Sequence, residues 1–144
     1  MSGIVVGVDG SPHSQSALDW ALAEAALRHL PVTALAVAPA AASIWGITGQ
    51  LDPSEETVQK VRDAAQAQVD KAVAGRGDLT VTVHTVSGVP ADELIKASDD
   101  ADLVVVAARG AGGFARLAMG SVSNQVAHHA HCPVVVVPAG ATAR

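Results

Sequence analysis

A chain of 144 residues, 49% of them hydrophobic, is long enough for one domain with a real core, too short for two of ordinary size, and too apolar for a disordered protein. A net charge of −5, nine scattered Lys and Arg, no Tyr, one Phe and two Trp provide neither a basic stripe for phosphate backbones nor aromatics for stacking bases, so nucleic acid is not an expected partner. No apolar run approaches the ~20 residues of a membrane span, and MSGIVVGVDG lacks the basic-then-apolar order of a secretory signal; the expectation is one soluble, cytoplasmic domain over residues 1–144 with no membrane contact.

Ile4 to Val8 is a short apolar run ending at Asp9, and Ser11-Pro12 supplies an N-cap followed by proline at the first helical position. The helix predicted from there to about His29 places Ala17, Leu18, Ala21, Leu22 and Ala25 on one face at three- and four-residue spacing, as packing on a sheet requires. Val32 to Ala38 is a second buried strand, completing a β-α-β unit with a right-handed crossover. Residues 39–51 form an apolar connection longer than most in α/β units; it reads either as a lid or partner surface carrying Ile44 and Trp45, or as a loop whose Trp45 packs back on the domain. Asp52-Pro53-Ser54-Glu55 reads as N-cap, proline and capping-box glutamate. They open a helix lined by Val58, Val61, Ala65, Val69 and Ala72 and stopped by Gly75 and Gly77.

Leu79 to Val86 alternates apolar and polar side chains, with His84 on the polar phase, and belongs at a sheet edge. Pro90 opens a helix to about Ser98, with Asp92 and Glu93 in the first turn to suit the dipole and Leu94, Ile95 and Ala97 facing inward. Leu103 to Ala107 is a strand covered on both faces, and a loop containing Gly110, Gly112 and Gly113 leads to a helix from Ser121 to about Ala130. Val134 to Val137 is the last strand, preceded by the lone Cys132, which allows no intrachain disulfide or multi-cysteine zinc site and reads as a small buried residue. DGSPHSQSA and MGSVSNQVA both put Gly-Ser at a helix start, which is capping chemistry rather than duplication.

Alternating strands and helices with near-continuous apolar strands define an α/β fold: an open five-stranded parallel sheet with helices on both faces, its ligands beyond the carboxyl ends of the strands. The helix start at Gly120-Ser121 has unpaired amides and a positive dipole end, so a phosphate there accepts from main-chain N–H groups and the Ser121 hydroxyl. Gly120 leaves room for close backbone approach and for a positive φ. Asp9 either accepts from a ribose hydroxyl or holds its own turn through Ser11, and Arg109 and Arg116 either supply charge to a polyphosphate or are ordinary exposed arginines.

Other chemistries lack their parts. The pattern G-x-x-x-x-G-K-[ST] is absent, the glycines do not open the first β-α turn as a dinucleotide fingerprint does, and no G-x-S-x-G elbow appears. His128, His129, His131 and Cys132 crowd one helix end without the i, i+4 histidine pair of helical metal sites, and histidines there suit the dipole; no metal is expected. A flavin in the same crevice would find few aromatics to sandwich it.

From Ala107 the residues read A-x-x-G, nine residues, then G-S, closely resembling the G-x-x-G-x9-G-S/T nucleotide loop of the universal stress protein family. IVVGVDGSPHSQSALDWA, SGVPADELIKAS and GSVSNQVAHHAHCPVVVVP resemble that family's corresponding segments in the same order, so nearly the whole chain apart from Pro39 to about Gly77 is covered. The resemblance implies an adenine nucleotide alpha hydrolase-like sheet of strand order 3-2-1-4-5, in which the first and fourth strands are neighbours and Asp9 meets the 107–121 loop. It implies ATP, with Mg possible through the phosphates, bound by Gly7, Val8, Asp9, Val37 and Gly88 around the adenosine. The loop's Ala107, Arg109, Gly110, Gly120, Ser121, Val122 and Ser123 complete that implied site. It further implies a nucleotide-dependent regulatory or protective module in stress response, not an enzyme beyond slow ATP hydrolysis at most. The unprotected apolar edge of residues 134–137 and the resemblance together imply a homodimer through the last strand. Ala107 departs from the glycine of ATP-binding members, and the expectation is ATP binding retained but weakened; the alternative is a member without nucleotide that acts through protein contacts.

Overall fold

The computed structural model describes residues 1–39, 53–109 and 120–138. Along these the chain runs β1 (Ile4–Gly7), α1 (Pro12–Arg28), β2 (Val32–Pro39), α2 (Glu55–Val73), β3 (Val81–Gly88), α3 (Pro90–Ala97), β4 (Leu103–Ala107), α4 (Ser121–His129) and β5 (Val134–Val137). The strands form a single parallel sheet in the order β3-β2-β1-β4-β5, as the resemblance implied.

Strand side chains alternate between faces, so continuous apolar runs fill two cores at once. Ile4, Val6, Leu103 and Val105 point into the core beneath α1 and α2, joined there by Leu18, Leu22, Ala65 and Val69. Val5, Val104 and Val106 point the other way, toward Leu94 and Ala97 of α3 and Val126 of α4. The predicted inward stripe of α1, Ala17, Leu18, Ala21, Leu22 and Ala25, is buried throughout. On α2, Ala65, Val69 and Ala72 are buried, while Val58 and Val61 are partly covered.

Three local readings are corrected. The cap of α2 is Ser54, whose hydroxyl accepts from Thr57 N at 3.2 Å. Pro53 therefore precedes the cap, and Glu55 and Glu56 occupy the first turn, where they suit the dipole. Asp52, predicted as the cap, lies outside the described residues, as do Ile44, Trp45 and Arg116. β3 begins and ends two residues later than the alternation suggested, because β2 continues to Pro39 and pairs β3 from Val32↔Val81 to Pro39↔Gly88. Cys132 is partly exposed instead of buried, packed at the margin of the α3–α4 core; burial still pushes its thiol pKa up, with Asp102 adding to the rise and a backbone hydrogen bond at Val104 opposing it. β3 is an edge strand as expected, and β5 forms the opposite edge with Val134, Val135 and Val136 partly exposed and only Val137 buried.

Candidate functional site

The strand order reverses at β1 and β4: the chain leaves β1 toward β2 and β3 on one side, and β4 toward β5 on the other. Their register pairs Val6 with Val105, so the segments that follow, Val8 to Ser11 and Ala108 to Arg109 with Gly120, emerge at the same end of neighbouring strands. A crevice at such a reversal is where open α/β sheets hold ligands.

The β1–α1 turn is built first. Val8 is 5% exposed, and its N–H donates to Leu35 O at 3.0 Å. Asp9 is exposed; its Oδ1 accepts from Ser11 N at 2.9 Å, and its own N–H donates to Ser14 Oγ at 3.2 Å. Gly10 has φ +83°, a conformation L side chains rarely adopt, so glycine is required here by the backbone. Ser11 then caps α1 by accepting from Ser14 N, and Pro12 sits at the first helical position. The turn-holding reading of Asp9 is therefore met through Oδ1, while the residue keeps its place at the crevice mouth.

A buried glutamine of α2, absent from the residues predicted above, lies behind this turn. Gln68 of α2, 7% exposed, accepts from Gly10 N through Oε1 at 3.0 Å and donates from Nε2 to Ser11 O at 3.1 Å. A recess of about 340 Å³ lined by Gly10, Ser11, Pro12, Gln15, Ser16, Gln68 and Lys71 opens between α1 and α2.

The second half of the site is the start of α4. Gly120 is the cap, with φ −76° and ψ 168°, and no side chain caps the helix. Its negative φ is open to any residue, so the positive φ that the sequence allowed for Gly120 is not adopted. The first helical bond is Asn124 N to Gly120 O at 3.0 Å, so the amides of Ser121, Val122 and Ser123 lie ahead of the ladder, at the positive end of the dipole. The helix start is pinned to the strand: Ala108 O accepts from Gly120 N and, at 2.9 Å, from Ser123 Oγ. Ser123 is 2% exposed and its hydroxyl is used inward, so only its amide faces the helix end. Ser121 and Val122 are exposed, and Ser121 Oγ accepts from Gln125 Nε2 at 3.1 Å.

The remaining predicted residues lie at or near the same carboxyl end of the strands. Val37 packs its side chain on the α3 face and pairs with Val86. A Cβ at Gly7 would come within 3.1 Å of Leu94 Cδ1, and one at Gly88 within 2.8 Å of Glu93 Oε1, so both glycines make room for α3. Ala107 has a negative φ, since His29 alone among the described non-glycine residues has a positive one, and its methyl packs against the core beneath α1. Arg109 follows at the strand end, partly buried, and Gly110 lies outside the described residues. At the far end of α4, His131 Nδ1 meets Asp99 Oδ1, and among the described residues no three His, Cys, Asp or Glu side chains gather as metal ligands. No helix among them is long and apolar enough to cross a membrane.

A parallel sheet of this order with helices on both faces defines a Rossmann-like α/β domain. Residues 1–138 match the model of the universal stress protein family, and the chain belongs to that family. It is 36% identical over 139 residues to universal stress protein Rv2623 of Mycobacterium tuberculosis, covering 94% of this chain and 47% of that protein. The chain thus spans about half the length of the curated relatives it matches. Its fold is shared with universal stress protein UspA from Lactobacillus plantarum, with a TM-score of 0.70 at 23% identity over 94% of this chain and 97% of that one. It is shared too with the universal stress protein from Archaeoglobus fulgidus in complex with dAMP, with a TM-score of 0.65 at 23% identity over 94% and 97%.

Proposed function

We propose that this chain binds an adenine nucleotide, with ATP as the principal ligand, and works as a nucleotide-dependent regulatory or protective module in stress response and not as a turnover enzyme. The observation that carries this is the convergence of the Asp9 turn and the uncapped start of α4 at the reversal between β1 and β4. Those residues fit the ligand: the amides of Ser121 to Ser123 and the Ser121 hydroxyl supply donors for phosphate oxygens, and the Asp9 carboxylate supplies an acceptor for a ribose hydroxyl. Gly7, Val8, Val37 and Gly88 would wall the adenosine, and Ala107, Arg109 and Gly120 would border the phosphates, through which Mg would be carried. The dAMP bound by the Archaeoglobus fulgidus protein supports the ligand class.

We place the protein in the cytoplasm as a homodimer paired through β5, whose partly exposed valines leave an apolar edge. Sedimentation giving the monomer mass throughout the micromolar range would contradict the dimer. The rival reading, a family member acting through protein contacts alone, rests on Ala107; the inward packing of its methyl weakens that argument. Mass spectrometry of the small molecules released on denaturing freshly purified protein tests the choice: ATP or AMP is expected. No nucleotide there, followed by no uptake from excess MgATP, leaves the rival reading in its place.

A further inference from the structure

Gln68 occupies an inward position of α2 whose neighbours on the stripe, Ala65, Val69 and Ala72, are all buried and apolar. An apolar residue would fill that place without removing an amide from water, and a buried amide is tolerated only when its donors and acceptor find partners. Here they do, and every partner belongs to one short segment. Oε1 accepts from Gly10 N, Nε2 donates to Ser11 O, and Ser14 Oγ lies 3.2 Å and 3.1 Å from the two amide atoms. The orientation of the amide is set by these partners, since Gly10 N–H requires the oxygen and Ser11 C=O requires the nitrogen. Gln15 Nε2 adds a bond back to Gln68 O at 3.1 Å.

The bonds of the Gln68 amide end one or two residues from Asp9, or on the hydroxyl that holds it. Gly10 and Ser11 follow Asp9 directly, Ser11 N is the donor on Asp9 Oδ1, and Ser14 Oγ is the acceptor for Asp9 N. Gly10, at φ +83°, would otherwise be the most freely moving residue of the turn. We propose that Gln68 is a positioning residue for the nucleotide site: from α2 it fixes the β1–α1 turn, and through it the direction of the Asp9 carboxylate at the crevice. This rests on the nucleotide reading above.

The test is a calorimetric double-mutant cycle with ATP on the wild type, Gln68→Met, Asp9→Ala and the double variant, accompanied by amide hydrogen exchange. Methionine keeps the length and burial of glutamine and removes its hydrogen bonds. Gln68→Met is expected to weaken ATP about five- to tenfold, the effect of one lost hydrogen bond, and to speed exchange at Gly10 N–H while β1 and β4 amides keep their protection. In the Asp9→Ala background the same change is expected to alter affinity by less than about twofold, because the effect passes through the carboxylate. If Gln68→Met fails to fold, Ser14→Ala, which removes the hydroxyl shared by Asp9 N and the Gln68 amide, is carried through the same cycle. Wild-type affinity in the variant, or equal weakening with and without Asp9, overturns the positioning role alone. A wild type that binds no ATP overturns the nucleotide reading and this role with it.

Discussion

At α1 the residue before the helix is Ser11, whose hydroxyl takes Ser14 N, and Pro12 at the next position has no N–H to offer. At α4 the corresponding residue is Gly120, which brings no side chain, and Ser121, Val122 and Ser123 follow with their amides ahead of the helical ladder. Both starts come from a Gly-Ser pair, and the third residue of each helix is a buried serine whose hydroxyl reaches the cap carbonyl, Ser14 to Ser11 O at 3.0 Å and Ser123 to Gly120 O at 3.1 Å. The difference is a register shift of one. Proline is pre-organised for the first helical position, so in Gly10-Ser11-Pro12 the serine becomes the cap. In Gly120-Ser121-Val122 nothing imposes that register, the glycine becomes the cap, and the serine hydroxyl moves onto the exposed first turn. One start is closed on itself and positions Asp9; the other keeps its first amides without a side-chain cap, at the positive end of the helix.

Closing the open start should have the largest effect. Gly120→Asp places a capping carboxylate on the amides assigned to phosphate, so ATP affinity should fall by several kcal/mol through like-charge opposition, while stability to urea rises by a few tenths to about 1 kcal/mol. Calorimetry and a urea melt on the same sample separate the two. Opening the closed start should be the next in size: Gly10→Val forces a β-branched residue to φ +83°, and a loss of about 2 kcal/mol or more in a urea melt is expected. The neighbouring Ala64 Cβ would lie 3.7 Å from the added Cβ, an ordinary contact, so the loss would report backbone conformation.

Ser121→Ala sharpens the comparison by removing only the displaced hydroxyl. ATP should weaken by about 1–2 kcal/mol with the melting curve unchanged, since Ser121 Oγ is exposed and its bond to Gln125 is a surface one. Ala107→Gly should give the smallest change. The residue already has a negative φ and a packed methyl, so a stability loss of about 0.5–1 kcal/mol and at most ~0.5 kcal/mol of tighter ATP binding are expected, read by melt and calorimetry.

The elements were legible because two periodicities governed them: unbroken apolar runs for strands covered on both faces, and three- and four-residue spacing for the helix stripes. The strand order was not in those patterns and came from the resemblance. At the start of α2, Asp52 and Ser54 both carry a capping oxygen, and propensity alone does not choose between them. Gln68 and Ser14 carry a signal in their places in the pattern. Gln68 lies three residues after Ala65 and four before Ala72, and Ser14 lies three before Ala17, so each is a polar residue on an inward stripe. Such a residue needs partners, and where they lie depends on how two helices meet, which one-dimensional spacing does not contain. Of the residues that the resemblance assigned to the nucleotide loop, Gly120 to Ser123 form the start of α4, and the Ser123 hydroxyl is used to tie that helix to Ala108 at the end of β4.

The central claim, that an adenine nucleotide sits between the Asp9 turn and the open start of α4, is tested most directly by following backbone amide resonances during a titration with ATP. Asp9, Gly10, Ser121, Val122 and Ser123 are expected to shift together with a single saturation curve. Shifts confined to other surfaces, or none at excess MgATP, would contradict it.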